Sequence, residues 1–259
     1  MVQIQPPQRR RSSVAEQRLH KARVAGSNPA VGIKRMPIHR TINTEFFRKW
    51  TPEMAYILGF FAADGNMLKN KRGAHFIEFN TIDKELLEKI KEALGSGHKI
   101  SARRRSEKWT TCYRLQIGSK TMFNDLANLG YIPSKSKRLK LPKIPRKYLS
   151  HFVRGYFDGD GNVTVCTYQR KARNNKLTTI LQSGFTSGSK NFLANLKNKL
   201  SKTGIVKGGT LYYSSNGWRL YFSINDSKKL YSYLYTGLNK TDEFFLERKK
   251  VIFEKYLRA

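Results

Sequence analysis

Acidic residues are scarce in this chain of 259 residues. Eighteen Asp and Glu stand against 50 Lys and Arg, giving a formal net charge of +32 and an isoelectric point near 10.3. That imbalance argues against an ordinary metabolic enzyme, because self-repulsion weakens the fold unless a polyanion neutralises it. A nucleic acid is the leading partner and an anionic membrane surface the second. Long apolar runs are also lacking: the longest, Met54 to Ala63, is ten residues. A spanning helix needs roughly 20, so no membrane partner is expected. The basic N-terminus has no apolar signal core, so no secretory segment is expected. Cysteine is rare as well. Cys112 and Cys166 lie far apart without ligand-spaced partners, which excludes a disulfide framework or zinc site and fits a reducing cytosol. Wholesale disorder is excluded in turn, since 39% of residues are hydrophobic and 12% aromatic. The length fits one large domain or two modest ones.

The charge is unevenly informative along the chain. Residues 1–40 hold nine basic residues and one acidic, residues 41–150 hold 22 and 10, and residues 151–259 hold 19 and 7. The two long segments are equally basic, which hints at two equivalent modules. Residues 1–50 read as a flexible basic segment, with turn-rich runs at Pro6–Ser13 and Gly26–Pro29. Its runs Ser12–Arg18 and Val24–Ala30 resemble a translated transfer-RNA gene, which implies a true start near Met36.

An internal repeat is present. Residues 54–67 (MAYILGFFAADGNM) match residues 150–163 (SHFVRGYFDGDGNV) at an offset of 96. Gly59 falls on Gly155, Phe61 on Phe157, Asp64 on Asp160 and Asn66 on Asn162. Residues 83–95 echo residues 189–200, and Tyr113–Ile117 pairs with Trp218–Phe222. Each copy reads as an apolar helix ending in Asp-Gly, a hairpin, an amphipathic helix capped by Asp83 or Ser189, a second hairpin and a last helix. Asn216-Gly217 marks the second hairpin turn of copy two. The expected class is α+β, a duplicated αββαββα unit with two antiparallel sheets, one module at 51–145 and the other at 146–259.

Gly59 and Ala63, like Gly155 and Gly159, lie four apart on one helical face. Small residues at that spacing let two helix backbones approach closely, so these four mark the expected interface between copies. The helix ends then meet, bringing Asp64 and Asp160 together. Each acid faces the negative end of its helix dipole and repels the other. A divalent cation shared with phosphate oxygens relieves both problems. The following glycines, Gly65 and Gly161, suit a left-handed position after the helix.

With Ile57–Gly65 (ILGFFAADG) and Val153–Gly161 (VRGYFDGDG), the chain resembles the LAGLIDADG homing endonucleases of the single-chain, two-motif type, over roughly residues 50–259. The resemblance implies a pseudo-twofold saddle whose sheets lie along the major groove of double-stranded DNA at a long asymmetric target. It implies that Asp64 and Asp160 bind Mg²⁺, with the main-chain carbonyls of Ala63 and Gly159, and that each acid helps cut one strand. The outcome would be a staggered double-strand break made by a monomer, in intron or gene homing. Such sites add a basic residue near the attacking water, and by position Lys135 and Lys240 are the candidates. Strand residues proposed to meet DNA are Arg103, Arg105, Thr164, Tyr168, Arg170, Arg219, Tyr221 and Ser223. Three departures stand out. Ala62 replaces the acid that Asp158 keeps in the second motif, Thr81 and Ser187 occupy strand ends where an amide is common, and Arg154 places a charge on an apolar helix, expected to point outward or pair with an acid. A splicing maturase with intron RNA as partner, or a non-cutting DNA-binding protein, would use the same scaffold; both acids being present favours cutting. A cytoplasmic, nucleoid-associated location is expected, or an organelle.

Overall fold

The computed structural model describes residues 40–104, 106, 109–170, 175–238 and 244–258, all within the compact unit from Arg40 onward. The first set of elements is α1 (Pro52–Asp64), β1 (Gly65–Lys69), β2 (His75–Thr81), α2 (Lys84–Ala93), β3 (Ile100–Arg103), β4 (Cys112–Gly118) and α3 (Lys120–Asn128). The second is α4 (Leu149–Asp160), β5 (Gly161–Arg170), β6 (Lys176–Ser187), α5 (Lys190–Lys202), β7 (Thr210–Ser214), β8 (Gly217–Phe222) and α6 (Ile224–Tyr235), after which comes α7 (Glu247–Arg258). The sheets run β1-β2-β4-β3 and β5-β6-β8-β7, with every pairing antiparallel. This is the duplicated αββαββα architecture read from the sequence. The helix α7 lies outside the duplication and was not anticipated.

The helix α1 begins where Thr51 accepts a hydrogen bond from the Met54 amide, with Pro52 in the first turn. Residues Met54 to Ala62 are all buried, so it is a core helix rather than a surface one. It packs along α4 at backbone distance. A methyl group built on Gly59 would sit 2.0 Å from the Phe152 carbonyl oxygen, and one on Gly155 2.0 Å from that of Tyr56. Lower down, a methyl on Gly159 would meet the Ala63 Cβ at 2.3 Å. No larger residue fits these places.

Strand alternation sets the two faces of each sheet. Ile77, Phe79, Leu115 and Ile117 turn into the core of the first module; Leu181, Phe185, Leu220 and Phe222 do so in the second. Their neighbours, polar in the main, form the opposite faces. Register matches between modules: Gly65 pairs with Phe79 and Gly161 with Phe185, while Glu78 pairs with Gln116 and Gly184 with Tyr221.

Two local expectations change. Gly65 and Gly161 are extended, with φ of −85° each, not left-handed. Their reason is space: a Cβ would lie 2.2 Å from the Phe61 Cδ2 and 2.3 Å from the Phe157 Cδ2 respectively. In the β7–β8 hairpin the two turn residues with positive φ are Ser215 and Asn216, at 49° and 62°, and Gly217 already pairs with Ser214. The turn therefore falls one residue earlier than the Asn-Gly pair suggests.

Candidate catalytic centre and nucleic-acid interface

Each of α1 and α4 runs without a loop into the first strand of its module, so Asp64 and Asp160 are the last helical residues and Gly65 and Gly161 the first strand residues. The α1–α4 seam brings the two carboxylates together. Asp64 reaches across it: a Cβ on Gly159 would lie 3.2 Å from its Oδ2, a tight contact beside the 2.3 Å clash with the Ala63 Cβ. Burial and the facing Asp160 push the Asp64 carboxyl up to about 7. Burial raises Asp160 as well, opposed chiefly by Lys135 and then by Lys249.

Two lysines meet this pair. Lys135, in the segment after α3, is buried and places its ammonium 5.7 Å from the centre of the Phe61 ring. Burial lowers it to about 8, while Asp160 and Asp64 pull the other way. Lys249, on α7, stands 5.4 Å from the centre of the Phe157 ring and is likewise lowered by burial to about 8. Phe61 and Phe157 are equivalent in the repeat, so the two lysines take matching stations from unlike elements. Lys240 and Arg105 lie outside the described residues. Sequence reasoning missed Lys249 because its element has no counterpart in the first module. The available signal was the apolar spacing of Leu246 and Phe253 around it, which marks a helix with Lys249 on the buried side.

The ammonium of Lys249 also caps the end of α4. It donates to the carbonyl oxygens of Phe157 at 2.6 Å, Asp158 at 2.8 Å and Gly161 at 2.6 Å, with Gly159 at 3.4 Å. A cation at a helix C-terminus satisfies orphan carbonyls and the dipole together. Asp158 anchors the same region. Its Oδ2 accepts from the Tyr56 hydroxyl at 2.6 Å and the Leu246 amide at 2.9 Å, while Oδ1 is buried with no partner among the described residues. Burial lifts this carboxyl to about 6, held back chiefly by the Tyr56 hydrogen bond. Arg154 does not point outward. It is buried and donates to the Phe244 oxygen at 2.9 Å and the Leu234 oxygen at 3.1 Å, and its charge favours the ionised form of Asp158. The carbonyls of the C-terminal segment outcompete solvent for its fork.

The other departures have local explanations. The Thr81 and Ser187 hydroxyls accept from the amides two residues on, Asp83 and Ser189, and so shape the turns into α2 and α5. Asp83 stands at the N-terminus of α2 without capping it, because Arg248 of α7 takes both carboxylate oxygens, at 3.1 and 2.9 Å.

Among the described residues no cluster of three or more His, Cys, Asp or Glu could hold a metal ion. The donor set on hand is Asp64, Asp160 and backbone carbonyls. Two half-buried, mutually repelling carboxylates with backbone carbonyl oxygens beside them suit a hard divalent cation that takes its other ligands from water or phosphate. The residues fit Mg²⁺.

Of the strand candidates, Arg103 ends β3, exposed. Thr164 and Tyr168 are exposed on β5, on the face opposite the buried Val163, and Arg170 is the last residue of that strand. Arg219 and Tyr221 alternate with the core-facing Leu220 and Phe222 on β8. Ser223 is not a strand residue: its hydroxyl accepts from the Asp226 amide and starts α6.

Paired helices ending in two half-buried acids, each running into a four-stranded antiparallel sheet, make this the fold of the LAGLIDADG meganucleases. Residues 51–128 match the family model of the LAGLIDADG-like domain. Among solved structures, the meganuclease I-AabMI bound to uncleaved DNA aligns with TM-score 0.53 and 15% identity, over 81% of this chain and 92% of that one. I-CpaMI bound to uncleaved DNA gives TM-score 0.53 and 13% identity, over 81% and 93%. I-SmaMI bound to uncleaveable DNA gives 0.54 and 13%, over 81% and 88%. Two curated relatives match shorter stretches. Uncharacterized protein MJ0398 of Methanocaldococcus jannaschii is 30% identical over 121 residues, and the probable translation initiation factor IF-2 of Thermococcus kodakarensis is 35% identical over 105. The matched stretches span 44% and 38% of this chain but only 40% and 8% of those proteins.

Proposed function

We propose that this protein is a site-specific DNA endonuclease that hydrolyses one phosphodiester in each strand of a long asymmetric target, giving a staggered double-strand break. The observation that carries the reading is the pairing of Asp64 with Asp160 at the seam, each module adding a buried lysine over an equivalent phenylalanine. The excess charge of +32 suits phosphate contacts on the polar faces of the two sheets. Since one chain supplies both acids, it acts as a monomer.

Asp64 and Asp160 would hold Mg²⁺, with help from carbonyls such as those of Ala63 and Gly159. When bound, the ion supplies positive charge at the scissile phosphate and acidifies the attacking water. The chain's own groups do the rest. Lys135, lowered to about 8, is poised near neutral pH to receive a proton or to face phosphate charge. Lys249 keeps its proton engaged with the carbonyls at the end of α4 and serves as fixed positive charge near both Asp64 and Asp160.

The test incubates wild type, Asp64→Asn and Asp160→Asn with a library of plasmids and Mg²⁺. Double-strand cutting by wild type, nicking or loss in each variant, and no cutting in EDTA are expected. Unchanged cutting by both variants would overturn the mechanism. DNA binding without cutting by wild type would favour the non-cutting regulator, and preferential intron-RNA binding the maturase.

A further inference from the structure

The polar face of the first sheet contains a buried acid in a protein of net charge +32. Glu78 lies on β2 between the core residues Ile77 and Phe79, facing the other way, and only 5% of it is exposed. Its Oε1 accepts from the Gln116 amide at 2.6 Å, with the Arg114 Nη1 at 3.5 Å. The Arg114 side chain remains about half open, at 48%, on the wall of a recess of about 720 Å³ that also includes Asn80, Arg103 and Trp109.

A carboxylate here opposes phosphate attraction, so affinity is not its use. Its effect is geometric. One nitrogen of the Arg114 fork is drawn to Glu78, leaving the remaining donors directed by that contact, and one hydrogen of the Gln116 amide is fixed. A planar fork biased toward one orientation by a neighbouring carboxylate suits guanine O6 and N7 in the major groove. Free lysine or arginine on a surface has no such preference, because it must spend rotamer freedom to read an edge.

The second module lacks the device. At the registers of Glu78, Gln116 and Arg114 it has Gly184, Tyr221 and Arg219. A Cβ on Gly184 would lie 2.8 Å from the Tyr221 Cδ1, so the ring rests on the glycine, and the Tyr221 hydroxyl accepts from the Asn162 amide at 2.6 Å. Arg219 Nε is buried there with no partner among the described residues. The same fold position is an acid-oriented fork in one half and an aromatic lid in the other.

We propose that Glu78, Gln116 and Arg114 form a preassembled base-reading cluster in which Arg114 takes a guanine edge and Glu78 is the positioning residue that sets selectivity at the expense of phosphate affinity. The proposal rests on the DNA-endonuclease reading above. The full chain, in EDTA at fixed salt, is used to select from a randomised duplex library, alongside Glu78→Gln, Arg114→Lys and Arg114→Ala. Wild type should enrich a site with a fixed guanine at one position of one half. Glu78→Gln should lose about tenfold of that preference while binding mixed competitor DNA as tightly or several-fold more tightly. Arg114→Lys keeps the charge and should lose the preference with an unchanged salt slope; Arg114→Ala should lose both. Arg114 is half exposed, so its variants remain readable if Glu78→Gln folds poorly. If wild type and all variants enrich the same site with the same preference, Glu78 is a strut and the assignment falls alone. If wild type enriches no sequence, the DNA reading falls and takes the cluster with it.

Discussion

The two modules carry the same acid at the same helix end but surround it differently. In the first module the motif position two residues before the acid is Ala62, and the lysine over its Phe61 is Lys135, from a connecting segment with no hydrogen bond to hold its ammonium among the described residues. In the second that position is Asp158, which is bonded to Tyr56 and Leu246, and the lysine over Phe157 is Lys249, tied to a ring of carbonyl oxygens. The first centre is loosely furnished and the second is braced. A duplicated fold thus keeps symmetry where two backbones must interdigitate, at Gly59 and Gly155, and gives it up where side chains can vary.

Replacing the lysines is the sharpest way to split the two centres. Lys135→Met should reduce cleavage of one strand by about 100-fold, the size typical of a lost proton-transfer or charge-stabilising group, with little loss or a small gain in thermal stability. Lys249→Met should lower cleavage of the other strand and also lower the melting temperature, because it strips the cap from α4. Strand-resolved nicking assays with parallel melting curves check both. Equal stability effects would dissolve the distinction between a free and a braced lysine.

Asp158→Ala should come next. It leaves the Tyr56 hydroxyl and Leu246 amide unpaired in the core, a loss of about 3 kcal/mol for two buried donors, readable in chemical denaturation. The reciprocal Ala62→Asp in the first module should also destabilise, since Ala62 is buried with no matching donors shown. If Ala62→Asp is neutral, the difference between modules is not one of packing.

The smallest effect expected is in the metal-free protein. The Asp64 carboxyl is raised from 3.8 to about 7 on folding, so the folded state favours the protonated form. The associated stability is fully present below about pH 3.8 and fades as pH rises through 7. Asp64→Asn removes that loss and should be more stable than wild type at pH 8 in EDTA, by about 2 kcal/mol. Mg²⁺ should then stabilise wild type and leave the variant nearly unchanged. Melting curves from pH 4 to 8, with and without Mg²⁺, measure the difference.

What was legible in the sequence was what duplication writes twice. The paired motifs, the acids, the succession of helices and hairpins within each unit and the small-residue seam all show as matched positions. What was not legible came from elements used once. The helix α7 has no partner copy, so neither Lys249 nor the grip of Arg248 on Asp83 could be aligned with anything. The inward turn of Arg154 depends on carbonyls of Leu234 and Phe244, some 80 and 90 residues away. Gly65 and Gly161 were seen as special for the wrong reason, since a ring folded back over the chain from Phe61 or Phe157 leaves no trace in local turn preferences.

The direct passage from helix to strand at Asp64–Gly65 and Asp160–Gly161 has a mechanical meaning. On the proposed reading, no hinge separates the acid that would face the scissile phosphate from the strand whose polar face would meet DNA. A strand displaced by an ill-fitting duplex moves its carboxylate with it, through a single peptide unit. Fidelity in such a molecule needs no messenger: the ruler and the blade are one piece of backbone.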